Sequence, residues 1–196
     1  MTGRLCALVR DQRGGPATEF AIVLPVALTL ILGFGDLAYQ GYMESVLTGA
    51  VQKAGRDSTI QGNATQTDSI DQKVIDIIKM IAPKATFVSS RENYDNYSEI
   101  GPEPFTDTNH NGVRDAGECY SDVNANSQWD ADPGTTGQGG ANDVTLYKMK
   151  VTYPRLFPFA WLIGWSAKET ITAETILKNQ PYATQTVTTS VTICKP

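Results

Sequence analysis

The feature that most constrains this chain is an uncharged apolar run near its amino terminus. Residues 20–35, FAIVLPVALTLILGFG, contain no charged side chain over 16 positions. A helix of that length measures roughly 24 Å, somewhat less than the ~30 Å hydrocarbon core of a bilayer. Three arginines precede the run and two acidic residues follow it: Arg4, Arg10, Arg13, Asp36 and Glu44. Because positive residues stay on the cytoplasmic side, the pattern predicts one membrane span, over about residues 18–40, with the amino terminus in the cytoplasm and the residues after the span outside it.

Three interpretations of this terminus are open. A cleaved secretory signal has the same basic start and apolar run, but no small-x-small cleavage site follows Gly35. An uncleaved membrane anchor is the second interpretation. The third explains Glu19, a carboxylate beside the span that is costly in lipid without a partner. If the chain is cut between Gly14 and Gly15, Glu19 becomes the fifth residue of the mature protein. It can then pair with the new amino terminus of a neighbouring subunit.

The run GGPATEFAIVLPVALTLILGFGDLAYQ resembles the TadE-like proteins of the tight-adherence (Flp) pilus system. The resemblance rests on a basic leader, a glycine before the cut, Glu19 followed by Phe20, an apolar helix that contains a proline, and a glycine-rich end with an acidic residue. It covers about residues 14–60. The resemblance implies a minor pilin or pseudopilin whose leader, residues 1–14, is removed by a prepilin peptidase. Its implied partners are other pilin or pseudopilin subunits.

The apolar helix is expected to continue beyond the lipid, over residues 15–60. Apolar residues recur there at three- and four-residue steps, which is typical of an amphipathic helix. This face comprises Leu37, Tyr39, Tyr42, Val46, Leu47, Ala50, Val51 and Ala54. From Thr18 to Thr59 the helix would measure roughly 60 Å. We therefore expect one end in membrane lipid and the other end packed against an extracytoplasmic domain, residues 61–196.

The remaining chain predicts an α+β domain. A second helix is expected from about Thr67 to Ala82, with an Ile and Val stripe and a stop at Pro83. Residues 85–90 are a candidate short strand. Alternation of apolar and polar residues predicts three further strands, over residues 145–153, 169–177 and 183–193. Such alternation is typical of an antiparallel sheet with one solvated face, on which the long helix would pack.

An apolar connection, RLFPFAWLIGW, joins two of the predicted strands. It is too short, and too often interrupted by proline and glycine, to span a membrane. Its aromatic residues are Phe157, Phe159, Trp161 and Trp165. We expect them to pack in the core, because large exposed apolar patches are uncommon in monomers. Contact with another subunit is the alternative.

The most specific ligand pattern is DTNHNGVRDAGE at residues 107–118. It fits the EF-hand loop pattern D-x-[DN]-x-[DN]-G-x5-E at every specified position. The expected ligands are the side-chain oxygens of Asp107, Asn109, Asn111, Asp115 and Glu118, together with the backbone carbonyl of Val113. Gly112 is expected at the tight turn, and Glu118 is expected to close the shell with two oxygens. Hard oxygen ligands at this spacing suit Ca²⁺ better than Mg²⁺.

A second copy of the pattern follows 15 residues later. Its expected ligands are Asp122, Asn124, Asn126, Gln128 and Asp130. Ser127 replaces the loop glycine, and Pro133 occupies the closing position, for which Asp132 is the nearest substitute. The repeat suggests that Glu118 serves both loops and that Glu103 adds to the first. The tandem pattern favours one or two structural calcium ions within residues 103–133 over a polar loop that binds nothing.

The cysteines fit an exported domain. Cys6 would leave with the leader, so that Cys119 and Cys194 remain as an even pair in an oxidising compartment. A disulfide between them would tie the polar loops to the last strand. Two separate thiols are the alternative.

Charge and the absence of catalytic motifs restrict the classes of function that we expect. The net charge of −5 argues against a nucleic-acid-binding protein. With one histidine, no nucleophile–base pair, no phosphate-binding loop and no zinc spacing, we expect no enzyme. The sequence predicts a minor pilin-like subunit of a tight-adherence, type IV-like pilus, held in the inner membrane by a single pass with its amino terminus in the cytoplasm. The alternative is a membrane-anchored, calcium-dependent adhesion or binding module outside any pilus.

Overall fold

The computed structural model describes residues 15–60, 66–157, 164–181 and 183–194. The chain divides into two compact units. The first comprises Met1–Tyr42 and Pro154–Glu169; the second comprises Met43–Tyr153 and Thr170–Pro196. The predicted leader, residues 1–14, lies outside the described residues.

Helix α1, Gly15–Ser58, is continuous through the apolar run. By length and composition it can cross a membrane, and it is the one described helix that can. Pro25 lies inside it without ending it, and the Thr29 hydroxyl donates a hydrogen bond to the Pro25 carbonyl at 2.8 Å. Its early apolar side chains are exposed, with Phe34 exposed at 69%. Such a surface is costly in water and suits lipid.

The connection between strands β4 (Val144–Pro154) and β5 (Lys168–Lys178) also belongs to the first unit. Here the expectation of aromatic packing in a core is wrong for Trp165, which is 44% exposed. Phe157 is half-buried. Phe159 and Trp161 lie outside the described residues. Neither of its described aromatic side chains is fully buried.

The second unit contains residues 43–58 of α1 and helix α2, Thr67–Ile81. The buried face of this part of α1 consists of Met43, Leu47, Ala50, Val51 and Ala54. Helix α2 buries Ile70, Val74 and Ile78. Leu37 and Tyr42 were predicted on the same face but are exposed. Periodicity identifies the face of a helix, whereas the neighbouring elements decide where along the helix that face becomes buried.

Four strands form the main sheet of the second unit, in the order β3–β1–β4–β5. They are β1 (Thr86–Tyr94), β3 (Thr135–Thr136), β4 (Val144–Pro154) and β5 (Lys168–Lys178). Strand β1 pairs antiparallel with both β3 and β4. The alternating residues of β4 are buried as predicted: Tyr147, Met149, Val151 and Tyr153. A Cβ at Gly55 of α1 would lie 2.5 Å from Leu177 Cδ1, so the missing side chain lets β5 pack against the helix.

The strand predicted over residues 183–193 is wrong over most of its length. Only β6, Val191–Ile193, is a strand, and it pairs with β2, Tyr120–Asp122, in a separate two-stranded sheet. Val187 is 59% exposed, so the alternation there does not mark a buried face. A disulfide between Cys119 and Cys194 adjoins this small sheet.

A buried ion pair joins α2 to the main sheet. The Arg91 guanidinium donates to both carboxylate oxygens of Asp71, at 2.5 and 3.1 Å, and Tyr147 donates its hydroxyl to Asp71 at 2.7 Å. Burial by itself would raise the pKa of Asp71, but hydrogen bonds from Arg91, Ser89 and Tyr147 lower that pKa below its ordinary value. Strand β1 extends past its predicted end at residue 90 to Tyr94, because its backbone pairs with β4 along this whole stretch.

The predicted fold class is confirmed. A long amino-terminal apolar helix, a second helix and an antiparallel sheet make an α+β protein.

Candidate functional site

The amino-terminal candidate residues lie at the beginning of α1. Gly15 is the first residue of the helix, and Gly14, on the other side of the expected cut, lies outside the described residues. Glu19 is exposed, and Phe20 is 63% exposed. The acid therefore lies on the surface of an apolar helix, available to a group from another molecule.

The polar segment, residues 103–133, is held by a short antiparallel pairing. Phe105 is bridged to Tyr120, and backbone hydrogen bonds of 2.8 Å join Thr106 N to the Cys119 carbonyl and Ser121 N to the Pro104 carbonyl. The first loop, residues 107–118, connects the two paired stretches. The second loop begins at Asp122, where the paired stretch ends.

The first loop is organised around two aspartates. Asp107 accepts backbone hydrogen bonds from Asn111 at 3.1 Å and from Gly112 at 2.8 Å. The side-chain amides of Asn109 and Asn111 both donate to Asp115, at 2.7 and 2.8 Å. The Asn111 oxygen accepts the backbone N–H of Val113 at 2.7 Å. Four side chains that the sequence predicted as ligands are therefore linked by hydrogen bonds within one tight loop.

The second loop repeats these contacts. Asp122 accepts from the backbone of Asn126 and Ser127, at 3.2 and 2.7 Å. The amides of Asn124 and Asn126 donate to Asp130, at 2.9 and 2.5 Å. The Asn126 oxygen accepts the backbone N–H of Gln128 at 2.7 Å. The repeat in sequence is therefore a repeat in structure, contact by contact.

Even the strained backbone positions correspond. Gly112 and Ser127 occupy equivalent positions with φ of 77° and 63°. His110 and Ala125 also correspond, with φ of 61° and 59°. The left-handed region is favourable for glycine and costly for other residues. Ser127 is held in this conformation by a hydrogen bond from its backbone N–H to the Asp122 carboxylate.

Two glutamates bind the backbone of the loops. Glu118 accepts from Thr108 N at 2.7 Å and from Asp115 N at 3.0 Å, both in the first loop. Glu103 accepts from Val123 N at 2.8 Å and from Asp130 N at 3.0 Å, both in the second loop. Each carboxylate uses one oxygen for each end of its loop. We expected Glu118 to close its loop by binding a cation with both oxygens; in the structure these oxygens bind backbone N–H groups.

The position of Glu103 corrects the sequence-based expectation, which assigned it to the first loop. Its side chain binds the second loop, as Glu118 binds the first. The antiparallel pairing of Phe105 with Tyr120 explains this. In such a pairing, the residue two positions before Phe105, Glu103, lies opposite the residue two positions after Tyr120, Asp122. The expectation that Glu118 also serves the second loop has no contact to support it among the described hydrogen bonds.

Asp132 does not replace the missing closing residue of the second loop. Its carboxylate accepts the Tyr94 hydroxyl at 2.7 Å and the Gly134 backbone N–H at 3.2 Å. Burial, together with the Asp132 carboxylate, raises the pKa of Tyr94. Asp132 therefore joins the polar segment to β1, and Glu103 has taken the place that the sequence assigned to Asp132.

The negative charge of the chain is concentrated in the polar segment. Residues 103–133 contain seven acidic side chains against one arginine, a formal charge of −6, whereas the whole chain carries −5. Among the described residues, no group of three or more His, Cys, Asp or Glu side chains is placed to hold a metal. Each loop instead combines two aspartates with two asparagines, which are oxygen donors of the kind that Ca²⁺ takes. Calcium binding thus stays a prediction.

Comparison with known proteins identifies the amino-terminal part of the chain. A family model described as TadE-like protein matches residues 15–56. Over these residues, the TadE-like segment, the chain is similar to that family. The resemblance expected from the sequence is confirmed, and it supports a pilus-associated protein. Its amino-terminal apolar helix, the one helix of the described residues that could span a bilayer, fits a single-pass membrane anchor. The TadE-like segment ends inside α1, so it does not include the polar segment. No curated protein and no solved structure matches the chain.

Proposed function

We propose that this protein is a minor pilin-like subunit, or pseudopilin, of a tight-adherence pilus machine. The observation that carries the proposal is the TadE-like match over residues 15–56, which covers nearly all of α1. The helix inserts in the inner membrane with its amino terminus in the cytoplasm. A prepilin peptidase removes residues 1–14, and the domain that follows α1 lies outside the cytoplasm.

The exposed position of Glu19 supports a subunit that assembles with other pilins. A carboxylate on an apolar helix is unfavourable in lipid unless it meets a cation. Cleavage between Gly14 and Gly15 creates a positively charged amine on each subunit. In an assembly, the Glu19 carboxylate of one subunit pairs with the amine of its neighbour, which favours insertion of the helix among other pilin helices.

The processing step can be tested with two variants of the leader, one at the expected cut and one away from it. Gly14→Val, expressed in the native host, is expected to leave the chain at its full length and to prevent piliation. Gly3→Val, in the same leader but away from the cut, is the matched control and is expected to mature normally. Amino-terminal sequencing gives the readout. A wild-type mature chain that still begins at Met1, or that begins beyond Gly35, contradicts the proposal.

Glu19 is expected to act after processing. Glu19→Gln keeps the size of the side chain and removes its charge, so cleavage should proceed while co-purification with other pilus subunits falls. Glu44→Gln, an exposed acid further along α1, is the control. Normal assembly of the Glu19→Gln chain would contradict the pairing of acid and amine.

We further propose that the polar segment binds one or two calcium ions, which stabilise the extracytoplasmic domain. The duplicated loops support this, since the same Asp and Asn side chains recur in both and make the same hydrogen bonds twice. The local charge of −6 also supports it, because a divalent cation would offset the repulsion among the carboxylates. The ions would be structural, and millimolar external Ca²⁺ would fill even weak sites of this type.

Calcium binding is measurable on the full chain in detergent. Isothermal titration with Ca²⁺ is expected to give one or two sites, and a chelator is expected to lower the melting temperature. At about 100 times the Kd, the ion adds roughly 2.7 kcal/mol to the free energy of unfolding. Asp107→Asn and Asp122→Asn should each remove one site, whereas Asp76→Asn on the exposed face of α2 should remove none. No heat, and no change in melting temperature with chelator, would refute the proposal.

The second candidate is a membrane-anchored, calcium-dependent adhesion module that acts outside any pilus. The observation in its favour is that the TadE-like match stops at residue 56, before the duplicated loops. The two candidates differ on Gly14. The adhesion module works with an uncut leader, so a Gly14→Val strain that still adheres in a calcium-dependent way would favour it.

A further inference from the structure

An ion cluster lies at the carboxyl end of the apolar run of α1, within the first unit. Arg155 forms ion pairs with both Asp36 and Glu169. The three side chains are largely buried, at 12%, 7% and 16% exposure. Arg155 Nε also donates to the Ser166 carbonyl at 3.0 Å. Buried charges are destabilising unless they are paired in this way, so the cluster fixes the β4–β5 connection against α1 at the point where the uncharged run ends.

The connection brings apolar side chains to the same level. A Cβ at Gly35, the last residue of the uncharged run, would lie 3.1 Å from the ring of Phe157. Leu156 and Trp165 are 55% and 44% exposed. The Arg155 guanidinium lies 5.0 Å from the centre of the Trp165 ring. The cluster and the exposed apolar side chains are therefore neighbours at one end of the apolar run.

We propose that the described ends of this connection, Leu156–Phe157 and Gly164–Trp165, lie in the interfacial layer of the membrane and form a second lipid contact beside α1. They lie beside the exposed apolar part of the helix, because Phe157 approaches Gly35 and the adjacent Phe34 is 69% exposed. Tryptophan beside a charged group is typical of the boundary between lipid and water. The inference rests on the membrane anchor of the proposed function.

The length of the run also favours lipid as the occupant. A 16-residue uncharged run spans roughly 24 Å of a ~30 Å hydrocarbon core. The residues directly after Gly35 therefore lie close to the lipid headgroups, together with whatever packs on them. The pairing of Asp36 with Arg155 makes this carboxylate compatible with that depth.

Quenching of tryptophan by brominated lipids tests the inference. The full chain is reconstituted in phosphatidylcholine nanodiscs, with Trp129 and Trp161 replaced by Phe so that Trp165 alone reports. Bromines near the headgroups are expected to reduce its emission at least twofold, and bromines deep in the acyl chains to reduce it less. In case the double substitution disturbs folding, the difference in quenching between wild type and Trp165→Phe provides the same readout.

Two control positions separate this inference from the membrane anchor itself. Phe34→Trp, in a chain without other tryptophans, reports on the span and is expected to be quenched strongly. A chain with Trp129 alone reports on the polar segment and is expected to remain bright. If Phe34→Trp is quenched and Trp165 is not, the connection faces water or a protein partner, and the inference is overturned while the anchor stands. If neither is quenched, both are overturned.

Discussion

The apolar core of the second unit and the polar segment within the same unit are stabilised in different ways. The core buries Met43, Leu47, Val74, Met149 and other large side chains from two helices and a sheet. The polar segment, residues 103–133, contains few such residues, and its backbone is bound by Asp, Asn and Glu side chains at successive turns. Hydrophobic burial tolerates varied geometry, whereas the loops depend on individual hydrogen bonds. Single polar substitutions should therefore have different effects in the two regions.

The largest effect is expected in the core, at its buried ion pair. Asp71→Asn leaves the Arg91 guanidinium without its counter-ion and should lower the free energy of unfolding by ~3–5 kcal/mol. Asp76→Asn, exposed on the same helix, should change it by less than ~0.5 kcal/mol. Chemical denaturation in detergent at pH 7 provides the measurement. A small effect of Asp71→Asn would show that the core does not depend on this pair.

The same variant has a pH signature. Because the pKa of Asp71 is lowered in the folded state, its ionisation stabilises the fold above its unfolded-state pKa of ~3.9. This stabilisation is lost as the pH falls through the folded-state pKa. The difference between wild type and Asp71→Asn should therefore be largest near neutral pH and should shrink below about pH 4.

The next largest effect is expected from the disulfide that joins the polar segment to the chain terminus. Its two cysteines are 75 residues apart in sequence. Removing a bond that closes such a loop should cost ~2–5 kcal/mol. In Cys119→Ser/Cys194→Ser, limited proteolysis should cut residues 103–133 before the core, and the oxidised wild-type chain is the control. Equal protection of both regions in the double variant would contradict the distinction between them.

The two glutamates provide a smaller and more local test. Glu103→Gln and Glu118→Gln should each lower the free energy of unfolding by ~1–3 kcal/mol, since each weakens two hydrogen bonds to a charged acceptor. Hydrogen exchange should accelerate at Val123 and Asp130 in the first variant and at Thr108 and Asp115 in the second. Acceleration of first-loop amides by Glu103→Gln would restore the sequence-based assignment and refute the observed pairing.

The smallest effect concerns the turn position at which the first loop has glycine and the second has serine. Ser127→Gly should raise the free energy of unfolding by ~0.4–1 kcal/mol, because glycine adopts a φ near 63° without the Cβ penalty. Gly112→Ser, the reciprocal substitution, should lower it by a similar amount. Thermal melts of the two variants measure both changes in stability. Changes of the same sign would show that the loops are not equivalent at this turn.

Much of the fold was predictable from local patterns. The apolar run predicted α1, the Ile and Val stripe predicted α2, and alternation predicted β4 and β5, because each of these signals arises from neighbouring residues on one face. The strand over residues 183–193 was predicted wrongly for the same reason. The alternating residues before Val191 do not pair with another strand, and only Val191–Ile193 does so.

The two loops show most clearly what local sequence patterns can and cannot predict. Spacing along the chain assigned Asp107, Asp122 and their neighbours to two loops, because the hydrogen bonds that organise each loop around its two aspartates join residues only four to six positions apart. Glu103 was assigned to the wrong loop, because its contact with Asp130 spans 27 residues. That contact depends on how the stretches around Phe105 and Tyr120 pair.

The sequence by itself therefore determined a membrane-type helix with a TadE-like beginning, an α+β class and a duplicated set of oxygen donors. These properties follow from composition and short-range periodicity. Only the tertiary structure decided which glutamate binds which loop, that Asp71 meets Arg91 and Tyr147 in the core, and that Arg155 joins Asp36 to Glu169. Each of these contacts brings together residues far apart in sequence, and it forms because a charge taken out of water needs a partner that the chain supplies only after folding.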